Sequence, residues 1–401
     1  MTVTGEQVRA LRLRRHHLDR PLPSGALVEA AAGCGVQNSP PGAWETALWN
    51  RVEGVTLPQL EQALYGEKTL LQAWSIRGVP LVFPTKDAGV FLSSLCTRSG
   101  EEPWIYTRGI TGALDALGLG FDDLLSLVEK ACSCLDKETV QSKEALDRRL
   151  AGLVEPMLPP EVRSVWNAPS MYGRPDRQTV GGAAVSFLLR PCSFRGKVVF
   201  GAREGISPTF TSPGRWLDQP LPEHPEGTQE LVRRFLRCYG PARSSDLQSW
   251  LGCSPRQAKR LWQGIAEELE PVLVEGRERW FLAEDRELLA HGDEGDRLLL
   301  LGPHDPYLDL RDRDTILPDK ALQRQIWKTV GNPGAVLLGG RVAGLWTVRT
   351  RGNGLNTAVT LFEELSPAQS TRLTDLALEH AAFRGADLAA SRVQIDMARR
   401  T

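Results

Sequence analysis

Apolar residues return at helical spacing most clearly between residues 228 and 282. Leu231, Val232, Phe235, Leu236 and Tyr239 fall at i, i+1, i+4, i+5 and i+8, one face of a helix that Gly240-Pro241 ends. A short second helix follows, with Ser244 or Ser245 as cap, Leu247, Trp250 and Leu251 inward, and Gly252 as stop. Ser254-Pro255 restarts the chain as N-cap and first helical residue. In this third helix Ala258, Leu261, Trp262, Ile265 and Leu269 face inward, leaving Arg256, Gln257, Lys259, Arg260 and Gln263 outward. Two β runs, 272–274 and 280–282, turn at Glu275-Gly276. Three helices, a tight turn before the third and a hairpin predict a winged helix-turn-helix. Long basic and amide side chains on its third helix suit phosphates and base edges. The same fold also serves as a scaffold, with those charges merely solvated.

Upstream the pattern predicts helices over 5–17, 25–32, 43–53 and 57–64, strands over 73–76 and 79–83 about Arg77-Gly78, and a helix over 86–95 capped by Thr85. Helices follow over 121–135, 139–153 and 180–189, then short strands over 197–200 and 208–210. In both stretches helices run into a hairpin, so three weakly similar winged units in tandem are the economical architecture, with no fixed repeat period. Past Asp285 the pattern changes to strands over 297–301, 335–338, 341–348 and 357–362, with Gly339-Gly340 and Asn353-Gly354 as turns. Ser366 caps a last helix over 367–383. The expected fold is α+β. Its units are residues 1–100, 101–223 and 224–290, each a winged helix, and a β-rich region closed by a helix over 291–401.

Composition changes this picture little. The chain has 401 residues, 41% hydrophobic and 24% charged, as an ordinary globular protein does. Its formal net charge of −1 predicts no general affinity for polyanions, so any basic surface must be local. Seven cysteines without a CxxC pair point to a reducing compartment, and neither they nor the six dispersed histidines show metal-ligand spacing. No signal peptide or membrane-length apolar run is visible. A cytoplasmic protein without metal, cofactor, membrane or obligate protein partner is expected.

Four stretches resemble one family. Gly35-Val36-Gln37-Asn38-Ser39-Pro40-Pro41 followed by Leu48-Trp49-Asn50-Arg51 is similar to its GxQxQxP…LWxR pattern, and Ile76-Arg77-Gly78 to its MRG step. Gly302-Pro303-His304-Asp305-Pro306-Tyr307 with Arg311-Asp312-Arg313 resembles PFDPYLxxRDR. Residues 333–346 resemble the PGxVLxxGRxxGxW hairpin. Each motif alone is weak, but the ordered set resembles the AlkZ-like winged-helix DNA glycosylases. That resemblance implies three winged helices in a C-shaped clamp on duplex DNA. It also implies hydrolysis of the N-glycosidic bond of bulky alkylated purines, as in repair or self-resistance to DNA-alkylating natural products.

An N7-alkylated purine already carries positive charge and leaves readily. The enzyme must stabilise an oxocarbenium-like sugar and hold a water, by placement and electrostatics. A carboxamide oxygen accepts from such a water but is no strong base, so Gln37 suits positioning. Ser39 stands where the family carries Gln, Asp or Asn, and Asn38 compensates if its side chain turns inward. After Gly78 the family often continues Thr-x-His, whereas this chain has Val79-Pro80-Leu81. The expected catalytic residues are thus Gln37, Asn38 and Ser39; without the resemblance they read as a capping loop. Expected DNA-binding residues are Arg51, Arg77, Arg256, Lys259, Arg260, Arg341, Arg349 and Arg351, with Asp305, Arg311, Asp312 and Arg313 forming an internal salt-bridged turn. The reading is a monofunctional glycosylase acting on alkylated purines in double-stranded DNA. Its rivals are a non-catalytic DNA- or adduct-binding protein or transcriptional regulator, favoured by Ser39, and an interaction scaffold, favoured by the near-neutral charge.

Overall fold

Four consecutive leucines, Leu298–Leu301, are all buried, as a strand covered on both faces requires. In the computed structural model, which describes residues 1–101, 109–172, 178–205, 207–293 and 295–398, they begin a five-stranded sheet. Its order is Leu298–Leu301, Gly334–Leu338, Arg341–Arg351, Gly354–Leu361, Arg392–Met397. The first three pairings are antiparallel and the last is parallel, in register from Asn356–Arg392 to Leu361–Met397. A parallel pair needs a crossover. Helix Pro367–Phe383 supplies it, started by a capping box between Ser366 and Gln369. Leu373, Leu376 and Ala377 of that helix pack with Leu300, Val336, Trp346 and Val359 of the sheet. A Cβ at Gly334 would lie 2.2 Å from the Trp346 indole nitrogen, whose N–H donates to the Leu301 carbonyl at 2.8 Å. Only glycine lets that ring lie across the strand.

The fold is mixed α+β, and the chain divides into two compact units. The first comprises Met1–Ala63, Val232–Asp246 and Ile265–Thr401; the second comprises Leu64–Leu231 and Leu247–Gly264. Besides the large sheet, the first unit holds strand Thr2–Val3 in parallel beside hairpin Leu269–Val274/Arg277–Leu282. Helix Gly5–Arg15 starts from a Thr4–Gln7 capping box, and its Val8 and Leu11 join Val3, Val272, Phe281 and Leu289 in a small core. The second unit packs helices Phe121–Cys132, Lys143–Val154 and Val180–Phe194 around Leu124, Val128, Leu146, Leu150 and Leu188. Trp74, from hairpin Leu70–Trp74/Pro80–Pro84, stacks on Phe210 at 5.1 Å in that core.

Helices Gly227–Tyr239, Ser244–Leu251 and Pro255–Gln263 follow one another as the apolar spacing predicts. Elsewhere the differences have local causes. The helix expected over 86–95 is broken into Ala88–Phe91 and flanking 3-10 turns, where the Ser93 and Ser94 hydroxyls both donate to the Gly89 carbonyl. The helix expected from 139 begins at Lys143, after Ser142 caps it and Val140–Gln141 pairs as a strand with Thr209 and Phe210. The strand expected over 73–76 is Leu70–Trp74, buried at all five positions and so without an alternation to read. Strands Thr2–Val3 and Arg392–Met397 were not foreseen at all. Among the described residues no helix is long and apolar enough to cross a membrane.

Two of the ion pairs inside the first unit centre on fully buried arginines. Arg51, 2% exposed, sends Nη1 and Nη2 to the two oxygens of Asp305 at 2.9 and 2.8 Å, and Nη1 also reaches the Ala47 carbonyl at 2.7 Å. Arg12, equally buried, holds Asp312 through two bonds of 3.0 and 2.8 Å and donates to the Tyr239 and Gly240 carbonyls. Burial lowers both guanidinium pKa values, but the facing aspartates outweigh it and raise them. Breaking such a pair strands a buried charge, at a cost of about 3–5 kcal/mol, whereas replacing both partners by apolar groups is far milder. Asp305→Leu or Arg51→Met should therefore each lower the denaturant midpoint more than the double variant Arg51→Met/Asp305→Leu does. Additive losses in that cycle would refute the pairing as the source.

His380 lies among Trp49, Trp346 and Phe383 at ring distances of 5.4, 5.1 and 6.3 Å, with Nε2 3.3 Å from the Thr46 hydroxyl. Burial, and secondarily Arg384, push its pKa down to about 4. The unfolded chain then binds more protons below the ordinary histidine pKa, so stability is lost as pH falls toward 4, by on the order of 3 kcal/mol. Denaturant titrations at pH 7 and 4.5 should show this loss, and His380→Phe should reduce it; an unchanged pH dependence would contradict the buried neutral ring.

Candidate catalytic loop and nucleic-acid interface

Helix Leu27–Ala32 stops at Gly33, and the chain turns through Gly35 in the left-handed region at φ 69°. It then extends through Val36–Gln37, so successive side chains alternate. Val36 and Asn38 are buried; Gln37 and Ser39 are half-buried on the opposite side. The Gln37 Nε2 donates to the Ser39 carbonyl at 3.0 Å, which fixes the amide plane. Among the described residues no donor occupies Gln37 Oε1. Asn38 is different. Its Oδ1 accepts the Gly42 N–H at 2.8 Å, closing the loop from inside. The Asn38 side chain turns inward, with Oδ1 engaged by the backbone.

Gly42 then starts helix Ala43–Trp49 from φ 90°, a conformation that glycine alone adopts without strain. A Cβ there would also lie 3.3 Å from Glu45 Oε2 and 3.4 Å from Arg384. Glu45 and Arg384 form an ion pair that joins this helix to the end of helix Pro367–Phe383. Further along, Asn50 Nδ2 donates to the Thr46 carbonyl at 3.0 Å and the Leu300 carbonyl at 2.9 Å, and Arg51 holds Asp305. Leu48-Trp49-Asn50-Arg51 is therefore the stem that fastens the loop to the sheet. Arg51 is corrected from DNA contact to buried anchor.

The remaining expected cations divide into spent and exposed. Arg77 adopts φ 55° and donates to the Trp250 carbonyl at 2.6 Å, so it braces its own unit instead of extending toward a phosphate. Arg260 grips Glu101 through bonds of 2.6 and 3.0 Å, and Arg256 donates to the Gly100 carbonyl at 2.8 Å. Gln257, expected outward, is buried and donates to the Leu95 carbonyl at 3.1 Å. On helix Pro255–Gln263 Lys259 is the expected cation that stays exposed without a described partner. Arg341 is exposed, 3.8 Å from Glu363. Arg349 and Arg351 lie away from the Gly339-Gly340 turn. They stand at the other end of strand Arg341–Arg351, whose residues 347–351 are all exposed and which pairs to its end with Gly354–Leu361. The tip is a two-residue turn, Gly352-Asn353. A cavity of about 620 Å³ lined by Lys143, Asp147, Trp166 and Thr179 belongs to the second unit, whereas the Gln37 loop belongs to the first.

The comparisons converge on one class. The family model described as "DNA glycosylase AlkZ-like" matches residues 30–385. A curated relative from Streptomyces sahachiroi, "Interstrand DNA cross-link repair glycosylase", is 26% identical over 364 residues, which is 87% of this chain and 89% of that one. The solved structure of the Streptomyces sahachiroi DNA glycosylase AlkZ superimposes with a TM-score of 0.73 at 22% identity, covering 99% of this chain and 100% of that chain. The chain is a DNA repair glycosylase by class, an enzyme that hydrolyses N-glycosidic bonds in DNA. It belongs to the AlkZ-like DNA glycosylase family.

Proposed function

We propose that this enzyme is a monofunctional glycosylase that removes bulky N7-alkylated purines from duplex DNA, with Gln37 placing the attacking water and Ser39 beside it. The observation that carries the reading is the alternation along the loop. Gln37 and Ser39 share the more open side, and the Gln37 amide is tied through Nε2, which leaves Oε1 as the acceptor for a water proton. In the reaction the C1′–N9 bond breaks and its electron pair neutralises the cationic base. Water adds to C1′ and its proton passes to solvent. Gln37 then works by position and partial negative charge, which is sufficient where the leaving group needs no protonation. A lysine nucleophile would open the sugar instead, and none stands in the loop and stem from Gly35 to Arg51.

The same proposal takes the three helix–hairpin stretches as winged helices, with Arg349 and Arg351 as exposed phosphate contacts of the first unit and Lys259 as one of the second. The name of the Streptomyces relative extends the candidate lesions to interstrand crosslinks.

Base release from a duplex bearing N7-alkylguanine tests the loop. Wild type should release the base, and Gln37→Ala should slow release by on the order of a hundredfold with DNA binding intact. Restoring the family residue with Ser39→Gln should speed release. Clear DNA binding without release by wild type, on small and bulky adducts alike, would favour the non-catalytic binding protein that Ser39 suggests. For the interface, Arg349→Ala/Arg351→Ala should weaken binding to all sequences alike and reduce the log–log salt slope by about 2. An unchanged slope would remove the hairpin from the DNA contact.

A further inference from the structure

Three side chains remote in sequence meet inside the first unit: His16, just past helix Gly5–Arg15; Cys34, in the turn before Val36–Gln37; and Cys238, near the end of helix Gly227–Tyr239. All three are buried, and one ring nitrogen and the two sulfurs lie within 4.8 Å of one another. From this geometry we propose that His16, Cys34 and Cys238 form a binding site for one thiophilic divalent metal ion, of which Zn²⁺ is the natural occupant.

The surroundings prepare the donors. His16 Nε2 lies 3.0 Å from the Cys238 carbonyl, so the N–H there donates to it and the lone pair is left on Nδ1. A backbone carbonyl on the far ring nitrogen is the usual partner of a metal-bound histidine. Tyr239 and Tyr307 fix the ring edge-on, each at 5.5 Å. A fourth donor is at hand: the Tyr239 hydroxyl gives its proton to the Pro306 carbonyl at 2.8 Å and keeps a lone pair 3.4 Å from the Cys34 sulfur. Tetrahedral zinc with bonds of about 2.3 Å to sulfur and 2.0 Å to nitrogen sets the donors roughly 3.5–3.8 Å apart, so binding draws them in by up to about 1 Å. Charge also fits. Two thiolates neutralise a divalent ion, and the nearby Arg12 and Arg51 are each held by an aspartate. The two thiol protons leave to solvent on binding. Ligand spacing in the sequence could not reveal this site, because the donors stand at positions 16, 34 and 238.

The glycosylase reading needs no metal, so the test reads metal alone. Protein produced with zinc supplementation should retain one equivalent after gel filtration. Cys34→Ser and Cys238→Ser should each lose it; Cys132→Ser, in the second unit, should keep it. Because those variants lose buried thiols, a second measurement uses wild type stripped by a chelator and shown folded by circular dichroism. Titration with Co²⁺ should give thiolate-to-cobalt absorption saturating at one equivalent. Folded wild type that retains no zinc and develops no cobalt–thiolate band overturns the proposal. So does recovery of Cys34 and Cys238 as a disulfide under reducing purification.

Discussion

The first unit depends on one charge pair placed where water does not reach. Arg51 and Asp305 are nearly fully buried, and each satisfies more than the other: the guanidinium also holds the Ala47 carbonyl, and the carboxylate also caps Tyr307 N–H at 2.9 Å. A buried pair of this kind contributes little net stability, yet an alternative arrangement that separates it is heavily disfavoured. It therefore selects one packing of helix Ala43–Trp49 on the sheet. Asn50 and His380 repeat the constraint from neighbouring positions, one through Leu300 and one through Thr46. The loop carrying Gln37 is built on that stem.

Much of this was legible in the sequence where a face was half-buried. Helix Pro367–Phe383 and the three helices from Gly227 to Gln263 follow their apolar spacing, because one side of each meets a core. Spacing gave no purchase where burial was total, as at Leu70–Trp74, or where side chains compete for the backbone, as at Ser93 and Ser94. The AlkZ-like motifs located the loop and stem, but not their division of labour. Arg51 looks like a free cation until Asp305, far along the chain, is placed against it. Asn38 looks like a chemical group until Gly42 N–H is found on its oxygen.

The near-neutral composition also takes on physical sense. Arginines in this chain are used largely as internal connectors: Arg12, Arg51, Arg77 and Arg260 each hold a carboxylate or carbonyl. Lys259 and the pair Arg349 and Arg351 are among the cations left exposed.

The alternation from Val36 to Ser39 separates two kinds of selection within four residues. Positions 36 and 38 answer to the interior and to the Gly42 N–H, so substitutions there are judged first by folding. Positions 37 and 39 face the other way, and the Ser39 group that Gln37 engages is its main-chain carbonyl, which every residue type possesses. The tie between positions 37 and 39 is thus indifferent to the side chain at 39: whatever residue stands there offers the same acceptor to the Gln37 amide.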